Sequence, residues 1–171
     1  MIVIIICYMR ILLSLLILLM FPILANAEVI KAEISVNDVP KALLGTWRVD
    51  SKLDNTNAYD RFRPQGVDFW KLSLIDDKLT LENPNTKVKA QVSLNTVEGN
   101  LIVFTKKTNY DNNKVLTDTV NIRLNGEKFS GINTLTLESY SLIDNHLMKT
   151  ETAQYLLKGE KLSGDTIPLN K

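Results

Sequence analysis

Lys87-Val88-Lys89-Ala90-Gln91-Val92-Ser93-Leu94 alternates polar and apolar side chains without a fault. A two-residue period puts every second side chain on one face, so this run predicts a strand with one buried and one wet surface. Val120, Ile122 and Leu124 alternate against Asn121 and Arg123 in the same way. Between such runs stand short polar or glycine clusters: Asp76-Asp77-Lys78, Glu98-Gly99-Asn100, Asn125-Gly126-Glu127, Asp144-Asn145 and Lys158-Gly159-Glu160. Each supplies the residue types that tolerate the backbone of a tight hairpin turn. The expectation is an all-β chain, an antiparallel up-and-down meander of about eight to ten short strands. No long stripe of helical period competes with it. Strand edges then need closure into a barrel or stacking of two sheets. A closed barrel is the expected architecture and a β-sandwich the alternative.

A repeat supports the hairpins. Leu124-Asn125-Gly126-Glu127-Lys128-Phe129-Ser130-Gly131 agrees with Leu157-Lys158-Gly159-Glu160-Lys161-Leu162-Ser163-Gly164 at six of eight positions, with Leu74-Ile75-Asp76-Asp77-Lys78-Leu79 as a looser copy. Turn chemistry alone selects these residues, so the repeat predicts three similar hairpins.

The first 27 residues read differently. Met9-Arg10 leads into the apolar run Ile11 to Leu24, which closes on Ala25-Asn26-Ala27. Small residues at the first and third positions before Glu28, with Pro22 upstream, form a signal-peptide cleavage pattern. The domains expected are a signal peptide at 1–27, a tether with one short helical turn at 28–43, and a β-barrel at 44–171. The protein is accordingly expected in the periplasm or secreted, and attached to a membrane only if the leader stays uncleaved. Met1 to Tyr8 is also apolar, and with the later run it reaches the length of a membrane span. The only cysteine, Cys7, lies in the leader. The exported chain therefore has no disulfide, no thiolate chemistry and no cysteine zinc site. Arg10 accounts for the formal net charge of +1, so the rest of the chain is balanced. That balance provides no electrostatic footprint for nucleic acid or anionic lipid.

Leu43-Leu44-Gly45-Thr46-Trp47-Arg48-Val49 opens the first predicted strand, and its Gly-x-Trp arrangement resembles the start of lipocalins and fatty-acid-binding proteins. The resemblance implies a barrel around a ligand cavity, with Gly45 permitting close backbone approach and Trp47 plugging the closed end. Elsewhere the chain departs from that pattern. Thr117-Asp118-Thr119 lacks the tyrosine of the second lipocalin motif, no basic residue stands on a C-terminal helix for the third, and Leu53 to Val67 does not resemble a helix-turn-helix lid.

Chemistry-bearing residues are sparse. His146 is the only histidine, beside the Asp144-Asn145 turn, with no second imidazole or thiol to complete a metal or nucleophile site. Asp111-Asn112-Asn113 lacks the spacing and bidentate glutamate of a calcium loop. No catalytic residue, metal site or cofactor is assigned. Two groupings remain. The connection Asp54 to Gly66 carries Tyr59, Arg61, Phe62 and Arg63, with Trp70 shortly after. Such a loop either guards a cavity mouth, its arginines meeting a carboxylate or phosphate head group, or simply crosses the rim with its aromatics packed down. The second grouping is Asp68, Asp118 and Glu151, each six residues before an aligned leucine and sharing its strand parity. At about 3.3 Å per residue they stand roughly 20 Å from the turns, as inward carboxylates at a wet opposite rim.

The expected function is a non-catalytic barrel binding a small amphiphilic or apolar molecule. The alternative is a structural or interaction protein of the cell envelope, with a filled barrel and a protein partner. Intact mass of the exported protein should correspond to a chain starting at Glu28; a mass that retains the leader would make it an anchor instead.

Overall fold

The computed structural model describes residues 39–110 and 113–164. The leader at 1–27, the tether as far as residue 38, and Asp111 and Asn112 of the polar loop lie outside the described residues. A 3-10 turn at Lys41–Leu43 precedes nine strands: β1 (Gly45–Thr56), β2 (Gln65–Ile75), β3 (Lys78–Glu82), β4 (Lys89–Gln91), β5 (Ser93–Glu98), β6 (Leu101–Tyr110), β7 (Lys114–Asn125), β8 (Lys128–Tyr140) and β9 (Leu147–Ser163). All pairings are antiparallel, in the order β4-β3-β2-β1-β9-β8-β7-β6-β5. First and last strands are neighbours in the middle of the sheet. Its two edges, β4 and β5, are separated in the chain by Val92 alone, whose N–H donates to the Leu79 carbonyl at 3.0 Å. Lys89 to Glu98 is thus one bent run, bonded to β3 by its first half and to β6 by its second. The result is an all-β, up-and-down, nearly closed barrel.

The alternating run Lys87 to Leu94 is the one that brings the sheet round. Its first two residues fall outside the strand: Lys87 takes a positive φ of 62°, and Val88 is 66% exposed in the β3–β4 loop. Three of the predicted turns join strands as tight hairpins. Asp76 and Asp77 both have positive φ, as a mirror-type hairpin turn requires, and Gly99 and Gly126 supply the same sign at 60°. The Asp144-Asn145 turn belongs to a longer connection between Tyr140 and Leu147.

Lys158-Gly159-Glu160 does not turn. β9 runs unbroken through it, with Gly159 paired to Val49 on one side and Phe129 on the other. The glycine serves a different need: a Cβ there would come within 2.1 Å of the ring of Phe129. Of the three copies, those at Asp76 and Gly126 make hairpins, while the copy at Gly159 provides a bare strip of backbone on which Phe129 lies.

Around that contact the lower barrel is filled. Trp47 is fully buried, 5.1 Å centroid to centroid from Phe129, and Trp70 stacks on Phe129 at 6.0 Å and meets Phe104 edge-on at 6.3 Å. Val49, Leu72, Ile102, Ile122, Leu124 and Leu157 complete the layer. The 3-10 turn caps it from below. Trp47 Nε1 donates to the Leu43 carbonyl at 2.8 Å, so the indole's polar atom is satisfied without water. From the last strand, Lys161 Nζ lies 5.2 Å from the Trp47 ring centroid and donates to the Ala42 carbonyl at 2.6 Å. Gly45, with φ of 127°, lets β1 pass close to the Ser163 carbonyl, where any Cβ would collide.

Gly159→Ala should destabilise the barrel by about 1–3 kcal/mol through overpacking, and Phe129→Ala by about 3–5 kcal/mol through the cavity it leaves. In the double variant the alanine at 159 has room, so its added cost should vanish. Urea unfolding of the four chains measures this coupling, and strict additivity would contradict the packing described.

Candidate functional site

The wall of the barrel is incomplete on one side. β3 and β5 are short, and β3 stops at Glu82, opposite Lys71, while β5 begins at Ser93, opposite Thr105. Among the described residues, β2 from Gln65 to Trp70 pairs only with β1, and β6 from Lys106 to Tyr110 pairs only with β7. The upper halves of these strands frame a notch, with the β3–β4 loop beside it.

Inward positions next to the notch are polar. Asp68 and Trp70 on β2, Lys106 on β6, Asp118 on β7 and Asn133 on β8 share the parity of the core residues on their strands. They are bonded into two clusters. Asp68 accepts from Trp70 Nε1 at 3.1 Å, from Asn83 Nδ2 of the β3–β4 loop at 2.6 Å, and from the Phe69 N–H at 2.8 Å. Asp118 accepts from Asn133 Nδ2, and Lys106 Nζ lies 3.8 Å from its other oxygen. Burial pushes the Asp118 carboxyl above the ordinary aspartate value, against the lowering effects of the Lys106 charge and the Asn133 bond, and the charge of Asp68 adds to the rise. The two carboxylates therefore share one electrostatic environment.

Glu151 belongs to a separate cluster. Pairing from β7 through β8 to β9 puts Asp118 level with Ala153, two residues below Glu151. Glu151 accepts from Lys149 Nζ at 2.7 Å and from Arg61 Nε at 3.1 Å. Its side chain is only 4% exposed, yet this cover consists of neighbouring side chains at the rim rather than depth. The Lys149 bond, aided by the Arg61 charge, holds its carboxyl below the ordinary glutamate value against the desolvation. Of the three acids expected at a wet rim, only Asp68 is exposed. Inward parity holds for all three; solvation does not, because cationic and amide partners cover the other two.

The β1–β2 connection is tied down rather than loose. Thr56 Oγ1 donates to the Thr152 carbonyl at 2.6 Å, Asn57 exchanges bonds with Thr150 and Thr152, and Tyr155, buried on β9, donates its hydroxyl to the Arg63 carbonyl at 3.0 Å. Phe62 packs against the core, while Tyr59 is 75% exposed and Arg63 exposed. The loop residues singled out in the sequence thus do not converge. Arg61 already has a carboxylate, Glu151 on β9, and Trp70 donates instead to Asp68 on its own strand β2. Asn83, Lys106 and Asn133 were not singled out. The signal for Lys106 and Asn133 was present: each is a polar residue at a position whose parity neighbours, Phe104 and Leu135, face inward.

Two other features lie outside this site. His146 Nδ1 and Asp144 Oδ1 are 2.6 Å apart on an exposed loop, where the Ser141 and His146 bonds lower the Asp144 pKa. A groove of about 680 Å³ runs over the outer face of β9, β1 and β2, lined by Lys52, Gly66, Val67, Leu156 and Lys158. Comparison with family models, with curated proteins and with solved structures finds no match.

The two covered carboxyls should act on stability in opposite senses. Asp118, raised in the folded state, holds its proton to higher pH than in the unfolded chain, so stability falls as pH rises from the ordinary aspartate value through the folded one. Glu151, lowered in the folded state, contributes fully above the ordinary glutamate value and loses that contribution as pH falls through the folded one. Urea midpoints across the acid range should show Asp118→Asn removing the first dependence and Glu151→Gln the second. Carboxyl carbon NMR titration should place Asp118 higher still in Lys106→Ala.

Proposed function

We propose that the protein is an exported, non-catalytic, lipocalin-like barrel that binds a small, partly apolar molecule in the upper half of its interior, entered through the notch. The observation that carries this reading is a change of chemistry along the barrel. Below, Trp47, Phe129, Trp70 and Phe104 form a packed aromatic floor. Above it, the inward positions hold Lys106, Asp118 and Asn133, half-buried groups that a barrel filled only for stability would have no reason to desolvate, with the exposed Asp68 beside them. An apolar wall with a few fixed polar groups is the usual make-up of a small-molecule site. The floor is compatible with a lipocalin-like barrel, and Lys161 on β9, stacked on Trp47 and bonded to the turn beneath it, supplies from a strand the basic residue missing from a C-terminal helix.

The arginines fit this reading less directly than their sequence position suggests. Arg61 is engaged by Glu151, so the polar end of a ligand is expected to meet the Asp118, Lys106 and Asn133 group instead. The second reading, an envelope interaction protein, draws on the filled floor and on the unpaired strand edges of the notch.

A panel of fatty acids, fatty amines and amphiphilic dyes, measured by calorimetry and tryptophan quenching, should contain a member that binds at micromolar concentration. Trp70→Ala should weaken that member about tenfold, the effect of losing roughly 1.4 kcal/mol of contact. Arg63→Ala should leave it unchanged. Absence of any binding member would sink the proposal and bring the interaction reading forward.

A further inference from the structure

The edges of the notch are its most specific feature. Leu53 N–H donates to the Pro64 carbonyl at 2.8 Å, which sets even-numbered β2 residues as those bonded to β1. The N–H and C=O groups of Gln65 and Val67 therefore point the other way, into the notch. Leu124 N–H donates to the Asn100 carbonyl at 2.9 Å, so even-numbered β6 residues bond β7 and the backbone groups of Lys107 and Asn109 face the notch from the far side. The Phe69 N–H, next on the β2 edge, is already taken by the Asp68 side chain. Gln65, Val67, Lys107 and Asn109 are otherwise unpaired among the described residues, and Gln65, Val67, Lys107 and Asn109 are all exposed.

From this arrangement we infer that the notch takes an extended segment of another polypeptide, which adds as a strand to the β2 edge and carries a basic side chain on its inward face opposite Asp68. An extended backbone is the ligand that answers a row of alternating donors and acceptors. The side-chain chemistry follows from the two faces of β2. Inward, Lys106 lies against Asp118, whereas the partners of Asp68 among the described residues are the neutral donors of Phe69, Trp70 and Asn83, which leaves the Asp68 carboxylate for an incoming cation to meet. Outward, Val67 is 57% exposed at the margin of the outer groove and offers apolar contact. A second copy of the barrel fits less well. Lys106 and Lys107 lie on the facing β6 edge, and Asn83 ties the β3–β4 loop to Asp68 at the end of the unpaired stretch, which leaves a short edge rather than a long one. This inference goes beyond the small-molecule reading and does not depend on it.

The test uses the full chain and a blocked heptapeptide, Thr-Thr-Val-Lys-Val-Thr-Thr, whose lysine falls on one face and whose valines fall on the other. Calorimetry should show saturable binding, and amide hydrogen exchange by NMR should show the Gln65 and Val67 amides open in the free protein and protected in the complex. N-methylation of the peptide residues facing the edge, or exchange of its lysine for glutamate, should each weaken binding at least about tenfold. Val67→Pro removes an edge N–H that β1 does not use, so it should abolish binding at an unchanged melting temperature. If that variant fails to fold, the amide protection in the parent protein decides alone. Lack of binding at about 1 mM peptide, where even weak contacts of roughly 4 kcal/mol register, would overturn the inference. So would full affinity of the methylated or glutamate peptide, protection of Gln65 and Val67 before peptide is added, or self-association through this edge in sedimentation. Loss of small-molecule binding alone, with peptide binding intact, would reject the earlier proposal and leave this one standing.

Discussion

The contact of Phe129 with the bare backbone of Gly159 is the constraint on which the lower barrel depends. A phenylalanine on β8 can lie flat over β9 only where β9 lacks a side chain, and in that position it meets Trp47 on one side and Trp70 on the other. Four strands, β1 and β2 from one end of the described chain and β8 and β9 from the other, are thereby locked together. Trp47 then has no room to move, and its indole N–H must find a partner within the core; the carbonyl of Leu43 provides it, which pulls the 3-10 turn under the barrel. Lys161 completes the arrangement, because its aliphatic stem and ammonium bridge the Trp47 ring and the Ala42 carbonyl. The central pairing of β1 with β9 places these groups together.

Much of this was legible in the sequence, and the reasons for the rest are physical. Period-two alternation and turn residues identify strands because they report local sterics and one-sided burial, and the hairpins at Asp76, Gly99 and Gly126 follow from them. Gly159 misled for a reason of the same kind. A glycine flanked by lysine and glutamate has turn chemistry, and only a partner 30 residues upstream on another strand reveals that it is a seat for an aromatic ring. Local composition cannot distinguish a glycine that bends the chain from one that makes room.

The carboxylates teach a related point about parity. Counting residues from the aligned leucines put Asp68, Asp118 and Glu151 on the inward face, and the registers agree. Parity says which way a side chain starts, but not what it meets. Glu151 meets Lys149 and Arg61, Asp118 meets Asn133 and Lys106, and Asp68 meets an indole and an amide. These partners come from loops and strands whose relative placement is set by the closed sheet, so they lay beyond sequence counting. They also decide the electrostatics: a rim carboxylate covered by cations ionises more readily, and one covered mainly by amide and hydrocarbon ionises less readily.

The notch has its own local cause. β3 ends at Glu82 because Asn83-Pro84-Asn85 follows: Pro84 has no N–H for a ladder, and the Asn83 side chain accepts from the N–H groups of Asn85 and Thr86, turning the chain back on itself. The run that returns from this loop pairs with β3 for three residues and then bends at Val92 to join β6, so neither neighbour is covered to its full length. Closing the wall would have required several more residues of β3 and β4, which the asparagine and proline forbid. The same loop supplies Asn83 to Asp68, so the residues that cut the strand short also organise the polar group exposed by the shortening. An opening with fixed polar lining, beside a floor held by aromatic packing, divides the barrel into an apolar, closely packed part and a polar, partly open one.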